Sequence, residues 1–204
     1  MSGGSPEYHF VTRWRVPGTC GEVADVLSDP LTLVEWWPSV YLAVDQVVPP
    51  GPGGVGRRVR LQTKGWLPYT LRWEFEVVAS NYPNGFTLDA TGDIDGRGIW
   101  TLVQDGRDVD IAYDWRVRAR KPLVRRWSFL LRPLFESNHR WAMAQGEDSL
   151  KLELARRRAS SAASRSAVPA PPGPVTYSAA VLVGLLASAG LATAFLMVRA
   201  RQSK

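Results

Sequence analysis

Three polar residues, His139, Tyr113 and Arg57, occupy positions that the hydrophobic pattern turns inward, and each could act on a carbonyl or hydroxyl group. His139 belongs to the apolar stripe of a C-terminal helical segment, where an imidazole can orient such a group or move a proton near neutral pH. Arg57 shares strand parity with Val59 and would face a carboxylate or enolate oxygen. Each residue could instead have only a structural role. His139 would then be a core histidine, Tyr113 a hydrogen-bonded tyrosine, and Arg57 an arginine whose charged end reaches water.

Aromatic residues are the second chemical feature, because the 204 residues include nine tryptophans. Trp and Tyr combine a large apolar surface with one polar edge, which is the usual lining of a pocket for a ring-shaped or amphipathic molecule. The alternative is that these rings only fill the core. We predict a ligand-binding set of inward-facing residues from the sheet, the long helix and the segment before the sheet: Trp37, Tyr69, Trp73, Phe75, Trp100, Tyr113, Trp115, His139 and Met143.

Several other chemistries lack the residues they need. The glycines at 51–56 lie in a Pro-containing connection with no helix or Lys-Ser/Thr pair after it, so they do not match a phosphate-binding loop. Two histidines and one cysteine are too few for a protein metal site of usual composition. Cys20 has no recognisable nucleophile context. We therefore predict no metal, no cofactor and no thiol chemistry.

The N-terminal half alternates as strands do and contains two short helical signals. Thr19 and Glu22 have the spacing of a capping box, and Asp29 precedes a proline at a first helical position, Pro30. Strand-like alternation precedes these signals at 8–16 and follows them from residue 40 onward. Turn signals at 49–54, 65, 83–85, 95–96 and 105–106 divide the second region. Consecutive strands joined by short turns predict an antiparallel sheet with one buried face.

The segment from Pro122 to Arg158 changes to helical periodicity. Pro133 should kink or restart this helix. The apolar face recurs at steps of three and four residues at Phe135, His139, Ala142, Met143, Gly146, Leu150 and Leu154. A glycine on that face, Gly146, would let the sheet or a bound molecule approach closely. We therefore predict a helix that lies across the sheet.

Residues 7–156 resemble the START-like superfamily, and more narrowly its bacterial polyketide cyclase/dehydrase and lipid-transport branch. The resemblance rests on the element order, on the Trp-Trp-Pro sequence at 36–38, on Tyr-Asp-Trp at 113–115 and on FESNHRWAMAQGEDSLKLEL at 135–154. It implies an α+β helix-grip fold, in which a curved antiparallel sheet wraps around the long C-terminal helix and leaves a hydrophobic cavity between them. Fold alone does not fix function.

The C-terminal region predicts a membrane anchor. From Ser178 to Val198 there are 21 consecutive uncharged residues, which as a helix would span roughly 31 Å, close to the thickness of a bilayer's hydrocarbon core. We therefore predict a START-like domain at 1–158, an Ala/Ser/Pro linker at 159–175, a transmembrane helix at 176–199 and a basic tail at 200–204. No signal peptide pattern is visible at the N-terminus, so we expect the domain on the cytoplasmic side of the cell membrane.

Charge is distributed unevenly along the chain. Residues 1–115 carry 9 Lys/Arg and 15 Asp/Glu, whereas residues 116–165 carry 13 and 4. Basic residues close to a span are attracted by anionic lipid, so the membrane surface explains this block. No basic and aromatic module of a nucleic-acid-binding protein is present, and we predict no nucleic acid partner. Within the span a ladder of small residues would allow a homodimer: Ala180, Gly184, Ser188 and Ala192.

Two functions of different classes remain open from the sequence. The first is a membrane-tethered carrier or sensor that binds a lipid, isoprenoid or polyketide-like molecule in the cavity. The second is an aromatase or cyclase, in which Arg57, Tyr113 and His139 would polarise a poly-β-keto chain. A third reading is an anchored interaction module whose cavity is only a core. The sequence favours the carrier or sensor, because an obvious acid–base pair is lacking and a cyclase would not need an anchor.

Overall fold

The computed structural model describes residues 7–119 and 122–177, and within them a seven-stranded sheet faces one long helix. The strands are β1 (Glu7–Pro17), β2 (Tyr41–Val48), β3 (Arg58–Lys64), β4 (Thr70–Ser80), β5 (Gly85–Gly92), β6 (Ile94–Asp105) and β7 (Asp108–Ala119). The helices are α1 (Cys20–Leu27), α2 (Leu33–Trp36), α3 (Pro122–Arg158) and α4 (Ala162–Ser166), with 3₁₀ turns at Pro30–Thr32 and Pro52–Gly54.

The sheet is antiparallel throughout, in the order β1-β7-β6-β5-β4-β3-β2. Strands β2 to β7 follow one another as a meander, and β1 pairs with the last strand, from Glu7 opposite Arg118 to Pro17 opposite Asp108. The segment containing α1 and α2 therefore carries the chain from one edge of the sheet to the other. Alternation along β3, β6 and β7 gives the sheet a buried face, and the long helix packs against it beside β1.

Helix α3 runs beside β1 in the same direction. The Phe135 ring lies 6.2 Å from that of Tyr8, and further along the helix the Glu147 carboxylate accepts a hydrogen bond from the Arg15 N–H at 3.3 Å. At the end of the helix Arg158 donates to the Pro17 carbonyl at 2.9 Å. The apolar stripe of α3 is thus fixed along one edge of the sheet, and it buries Met143, Leu150 and Leu154 as its spacing predicts.

The predicted elements are confirmed with two corrections. The capping box of α1 is present, with Glu22 N–H donating to the Thr19 hydroxyl and the Glu22 carboxylate accepting from Thr19 N–H. Helix α3 continues through Pro133, so the restart that the sequence offers as one of two alternatives does not occur. The turn predicted at 95–96 is wrong, because these residues lie inside β6.

The β5–β6 turn lies at Asp93, the residue between the two strands. Gly92, which ends β5, has a φ of +127°, a conformation that side chains rarely adopt. Its N–H donates to the Asp95 carboxylate at 3.1 Å, so Asp95 supports the turn from within β6. Gly96 serves a different purpose, because a Cβ there would overlap the backbone of Arg116 in the neighbouring strand. An Asp-Gly pair thus marked a close approach of strands instead of a turn.

The described residues up to Pro174 belong to one compact unit. Inside the predicted linker, residues Ala162–Ser166 form a short capped helix, and Arg156 donates to the Pro169 carbonyl at 3.0 Å. None of the helices within 7–119 and 122–177 is long and apolar enough to cross a membrane. The predicted span at 176–199, its small-residue ladder and the tail lie outside the described residues from position 178 onward.

Candidate functional site

A partly open cavity of about 190 Å³ lies between α3 and the buried face of the sheet. Its wall is mostly aromatic and apolar, and it draws on β1, the α2–β2 segment, β3, β4, the β5–β6 turn, β7 and α3. The lining residues are Tyr8, Phe10, Trp37, Val40, Tyr41, Thr63, Lys64, Gly65, Tyr69, Leu71, Trp73, Asp93, Ile94, Tyr113, Trp115, Val117, Phe135, Asn138, His139, Ala142 and Met143.

Strand and helix periods together bring this lining to one place. In β7, Tyr113, Trp115 and Val117 alternate with exposed or half-exposed residues, so all three face the helix. On α3 the lining positions recur at three- and four-residue steps from Phe135 to Met143, which places them on one side of the helix. The regular periods of strands and helix are therefore enough to bring residues that are far apart in sequence to one cavity.

The sheet side of the wall is a chain of contacting rings. Tyr113 stacks on Trp115 with ring centroids 5.5 Å apart, and Trp115 lies 5.9 Å from Trp73. The Trp73 indole N–H donates to the Thr63 hydroxyl at 3.0 Å, which satisfies a buried donor and fixes the ring. This wall presents rigid flat surfaces to anything bound in the cavity.

His139 lies on the helix side of the cavity, stacked on Phe10 at a centroid distance of 4.1 Å. Its Nε2 is 3.4 Å from the Thr12 hydroxyl. Burial lowers the pKa of His139 to about 4, because the apolar surroundings disfavour the charged form. The imidazole is therefore neutral at physiological pH and acts there as a hydrogen-bonding group, not as a proton carrier.

Three tyrosines of the wall are also neutral. Burial raises the pKa of Tyr69 to about 12 and raises the pKa of Tyr41 and Tyr113 as well. Their hydroxyl groups stay protonated at any physiological pH. The cavity interior thus offers neutral hydrogen-bonding groups, spread among aromatic rings.

Besides Tyr8 and Tyr41, four polar residues of the wall were not predicted from the sequence. Lys64 ends β3, and Asp93 lies in the β5–β6 turn, where its carboxylate accepts from Arg72 N–H at 2.8 Å. The Asn138 side chain packs on Gly65 and accepts from Leu67 N–H at 3.1 Å, which ties the β3–β4 connection to α3.

Thr63, the fourth, accepts the hydrogen bond from Trp73. The alternation of a strand does not predict where a side chain points at a strand end or in a connection. Lys64, Asp93 and the residues that Asn138 contacts all lie at such positions. Only the position of Asn138 next to His139 on the helical stripe could have indicated its role.

Trp37 closes one end of the cavity. Its indole lies directly on Gly146 of α3, where a Cβ would overlap the ring. The same ring contacts Trp14 at 5.6 Å and Tyr41 at 5.2 Å between centroids. Gly146 therefore does permit a close approach, as its position predicts, and the group that approaches is a side chain of the α2–β2 segment.

Three of the expected site residues lie elsewhere. Trp100 stacks behind Tyr113 at 4.1 Å and does not line the cavity. Phe75 and Arg57 line a separate, smaller cavity, and Arg57 donates to the Ser28 carbonyl at 2.9 Å. The structure therefore does not bring Arg57 together with Tyr113 and His139, because strand parity fixes the face of a sheet but not the position along it.

The remaining sequence-predicted lining residues do meet in the main cavity: Trp37, Tyr69, Trp73, Tyr113, Trp115, His139 and Met143. Cys20 is buried away from it, and burial raises the pKa of its thiol, which disfavours the reactive thiolate. Within the described part of the chain, no group of three or more His, Cys, Asp or Glu side chains is placed to hold a metal ion.

Comparison with known proteins identifies the fold. No family model and no curated protein matches the chain. A solved structure from Thermus thermophilus is similar at TM-score 0.62 and 16% identity, covering 76% of this chain and 100% of that one. The Zhui aromatase/cyclase of Streptomyces gives 0.58 and 15%, covering 76% and 98%.

Norcoclaurine synthase of Thalictrum flavum gives a TM-score of 0.51 at 14% identity, covering 76% of this chain and 99% of that one. At such low identity these similarities concern the fold alone. Together with the seven-stranded antiparallel sheet and the long helix, they confirm the helix-grip fold that the sequence predicts.

Proposed function

We propose that this domain binds an uncharged, ring-containing hydrophobic molecule in the main cavity and serves as a carrier or sensor without catalysing a reaction. The observation that carries the proposal is an aromatic cavity of about 190 Å³ in which His139 and Tyr113 are neutral at physiological pH. Flat rings such as Trp73, Trp115 and Tyr113 suit a planar or polycyclic ligand.

A neutral ligand is favoured over a charged one by the cost of burial. Moving an ion into an apolar site is expensive unless a partner of opposite charge receives it. The two charged residues of the wall, Lys64 and Asp93, lie at a strand end and a turn, and Asp93 already accepts a hydrogen bond from Arg72 N–H. Neutral hydroxyl and imidazole groups can instead orient a carbonyl or hydroxyl of the ligand.

The titration of the cavity groups supports binding over proton transfer. General acid–base catalysis works best when the pKa of the catalytic group lies near the working pH. The pKa of His139 is about 4 and that of Tyr69 about 12, so each falls well to one side of neutrality. These groups hold their protonation states through a binding event.

Membrane tethering is part of the proposal, and its support comes from the uncharged run at 178–198. A hydrophobic ligand partitions into the bilayer, so an anchored domain would meet it at a raised local concentration. The basic block at 116–165 would add attraction to anionic lipid.

The test is to purify the full chain in lipid nanodiscs and identify by mass spectrometry the small molecules that remain bound. Ala142→Trp would fill the cavity, because Ala142 lines it. Ala144→Trp is the matched control, since Ala144 is an exposed residue of the same helix. We expect a molecule that is present with the wild type and Ala144→Trp but lost with Ala142→Trp. Equal recovery from all three, or none from the wild type, would overturn the proposal.

A cyclase-type enzyme remains the second candidate, favoured by one specific observation. Lys64 and Asp93 place an ammonium and a carboxylate in the same cavity wall as Tyr113. Among the structures of similar fold is the Zhui aromatase/cyclase. A purified chain that converts a poly-β-keto substrate to a ring product, and loses this conversion in Lys64→Met with ligand binding intact, would establish the enzyme instead of the carrier.

A further inference from the structure

A second cavity of about 50 Å³ lies at the other end of the sheet and shares no lining residue with the main cavity. The end of α1, the connection before β3, and strands β4, β5 and β6 surround it. Its wall is largely apolar, with Leu27, Phe75, Val77, Phe86 and Leu102. Nothing in the proposed function uses this space.

One charged side chain, Arg57, lines this small cavity. Its Nη1 donates to the Ser28 carbonyl at 2.9 Å, whereas its Nε is buried and has no hydrogen-bond partner. No carboxylate of the described residues pairs with it. The next two arginines of the strand differ, because Arg58 and Arg60 both pair with Glu74, at 3.1 and 2.8 Å.

A half-buried guanidinium without a counterion is an unsatisfied arrangement. Its planar group carries five N–H donors that match the two oxygens of a carboxylate, and leaving a buried donor unpaired costs free energy. The nearest acid on α1, Asp25, is already engaged as the acceptor of the Tyr82 hydroxyl at 2.9 Å. A carboxylate bound in the cavity would compensate the charge and accept from guanidinium N–H groups that the Ser28 carbonyl leaves unused.

We propose that this second cavity binds a short-chain monocarboxylate, with the carboxylate on Arg57 and the alkyl chain against Leu27, Val77 and Phe86. The size agrees with such a ligand. One water needs about 10–15 Å³ of space measured in this way, so the 50 Å³ of the cavity accommodates only a few heavy atoms. Ligands from acetate to butyrate fall in this range, and a long acyl chain or a polycyclic molecule does not.

The competing explanation is that Arg57 only stabilises the end of α1. Ser28 is the C-cap residue of that helix, and a cation near a helix C-terminus is favourable. That role uses one of the five N–H donors and does not need the apolar cavity beside the guanidinium. The two explanations differ in whether a carboxylate binds.

The experiment measures saturation transfer by NMR from the full chain in nanodiscs to sodium butyrate, with butyramide as the neutral analogue. We expect saturable transfer to butyrate at millimolar concentrations and little to butyramide. Arg57→Met should weaken butyrate binding by about tenfold or more, because it removes the charged donors. Arg58→Met is the matched control, and it should leave binding within about twofold because Arg58 lies exposed on the other face.

A second measurement does not depend on whether Arg57→Met folds. In a methyl-labelled wild-type chain, butyrate should shift the methyl signals of Leu27 and Leu102 and leave that of Met143, in the main cavity, unchanged. Four outcomes would each overturn the proposal. They are absent saturation, equal binding of butyramide, unchanged affinity in Arg57→Met, and shifts confined to Met143. Shifts confined to Met143 would place butyrate in the main cavity, whereas the other outcomes do not bear on the ligand of that cavity, so the two proposals fail separately.

Discussion

The apolar stripe of helix α3 keeps the same helical spacing along residues 135–154, but one end borders a cavity and the other end is tightly packed. Toward its start, at 135–143, the stripe borders the main cavity, and Phe135, His139 and Ala142 are only partly buried. Toward its end, Leu150 and Leu154 are 0% and 1% exposed. The boundary is Gly146, where the Trp37 indole packs onto the helix.

The difference shows that side-chain size alone does not decide where a fold is hollow. The cavity end is lined by the larger rings. On the sheet these rings stack on one another, and on the helix His139 stacks on Phe10, so the rings do not fill the space between sheet and helix. Leu150 and Leu154, at the packed end, share a core with smaller aliphatic residues such as Val16 and Val23, both 0% exposed. Stability should therefore depend on the packed end, and ligand binding on the cavity end.

Truncation of the stripe should give the largest effect at the packed end. Leu150→Ala should lower the free energy of unfolding by about 3–5 kcal/mol, because the new space is fully enclosed. Met143→Ala should cost about 2 kcal/mol or less, since Met143 already borders an open space. Chemical denaturation of both variants measures the two values. Equal losses would contradict the division of the helix into a packed and a hollow end.

The stability of the protein should depend on pH because of His139, at the cavity end of the helix. The folded protein holds its pKa at about 4, against an ordinary value of 6.5, so between these values the unfolded chain binds more protons. The free energy of unfolding should therefore fall as the pH is lowered from 6.5 to 4, by up to about 3 kcal/mol. Above pH 6.5 this contribution is constant.

The pH dependence is measured by denaturation at intervals from pH 4 to 7.5 for the wild type and two variants. His139→Gln should remove most of the dependence between pH 4.5 and 6.5, above the range in which Glu22 titrates. His9→Gln is the control, because His9 is an exposed residue that bonds Asp114, and it should retain the dependence. A wild type whose stability is the same at pH 4.5 and pH 7 would contradict the burial of a neutral imidazole.

The boundary between the two ends should be sensitive to a single methyl group. Gly146→Ala places a Cβ into the Trp37 indole, and such overpacking costs about 1–3 kcal/mol. Helix propensity works in the other direction and favours Ala over Gly by about 1 kcal/mol. We expect a net destabilisation of about 1 kcal/mol, measured by thermal and chemical unfolding.

Gly21→Ala is the matched substitution, because Gly21 lies in helix α1 and its Cβ would meet only the Thr19 hydroxyl, at 3.9 Å. There the propensity gain stands alone, and the variant should be more stable than the wild type by about 0.5–1 kcal/mol. If both alanines were stabilising, the contact between Trp37 and Gly146 would not be a tight one.

Sequence patterns predicted the periodic parts of this molecule well. Alternation at 69–77 and 109–117 gave the strands and their buried faces, and the spacing of Thr19 and Glu22 gave the cap of α1. Both signals are local, so they do not depend on the rest of the fold. The helical stripe likewise predicted which side of α3 is buried.

The candidate site was predictable only as far as its residues lie on such periodic elements. Strand alternation predicted that Arg57 lies on the inner face of the sheet. Alternation does not indicate that this part of the sheet borders the second cavity. Trp100 is inward and buried, yet Tyr113 stands between it and the main cavity. Lys64 and Asp93 reach the wall from a strand end and a turn, whose directions only the folded backbone sets.

The smallest effect is expected at the outer surface of the packed end, where Arg158 joins the end of α3 to the capping box of α1. Arg158 donates to both oxygens of Glu22, at 2.7 and 3.0 Å, and this contact lowers the pKa of Glu22 to about 2. Both side chains are 39% exposed, so solvent screening limits the benefit, and Arg158→Met should cost about 1 kcal/mol near neutral pH.

Because the folded pKa of Glu22 lies below its ordinary value of 4.5, the stabilisation is complete above that pH and is lost as the pH falls toward 2. The difference in unfolding free energy between wild type and Arg158→Met should shrink over that range and with added salt. Arg157→Met serves as the control, since Arg157 pairs within α3 with Glu153 and joins no second element. If Arg158→Met cost as much as Leu150→Ala, surface charge instead of aliphatic packing would hold this end of the helix on the sheet.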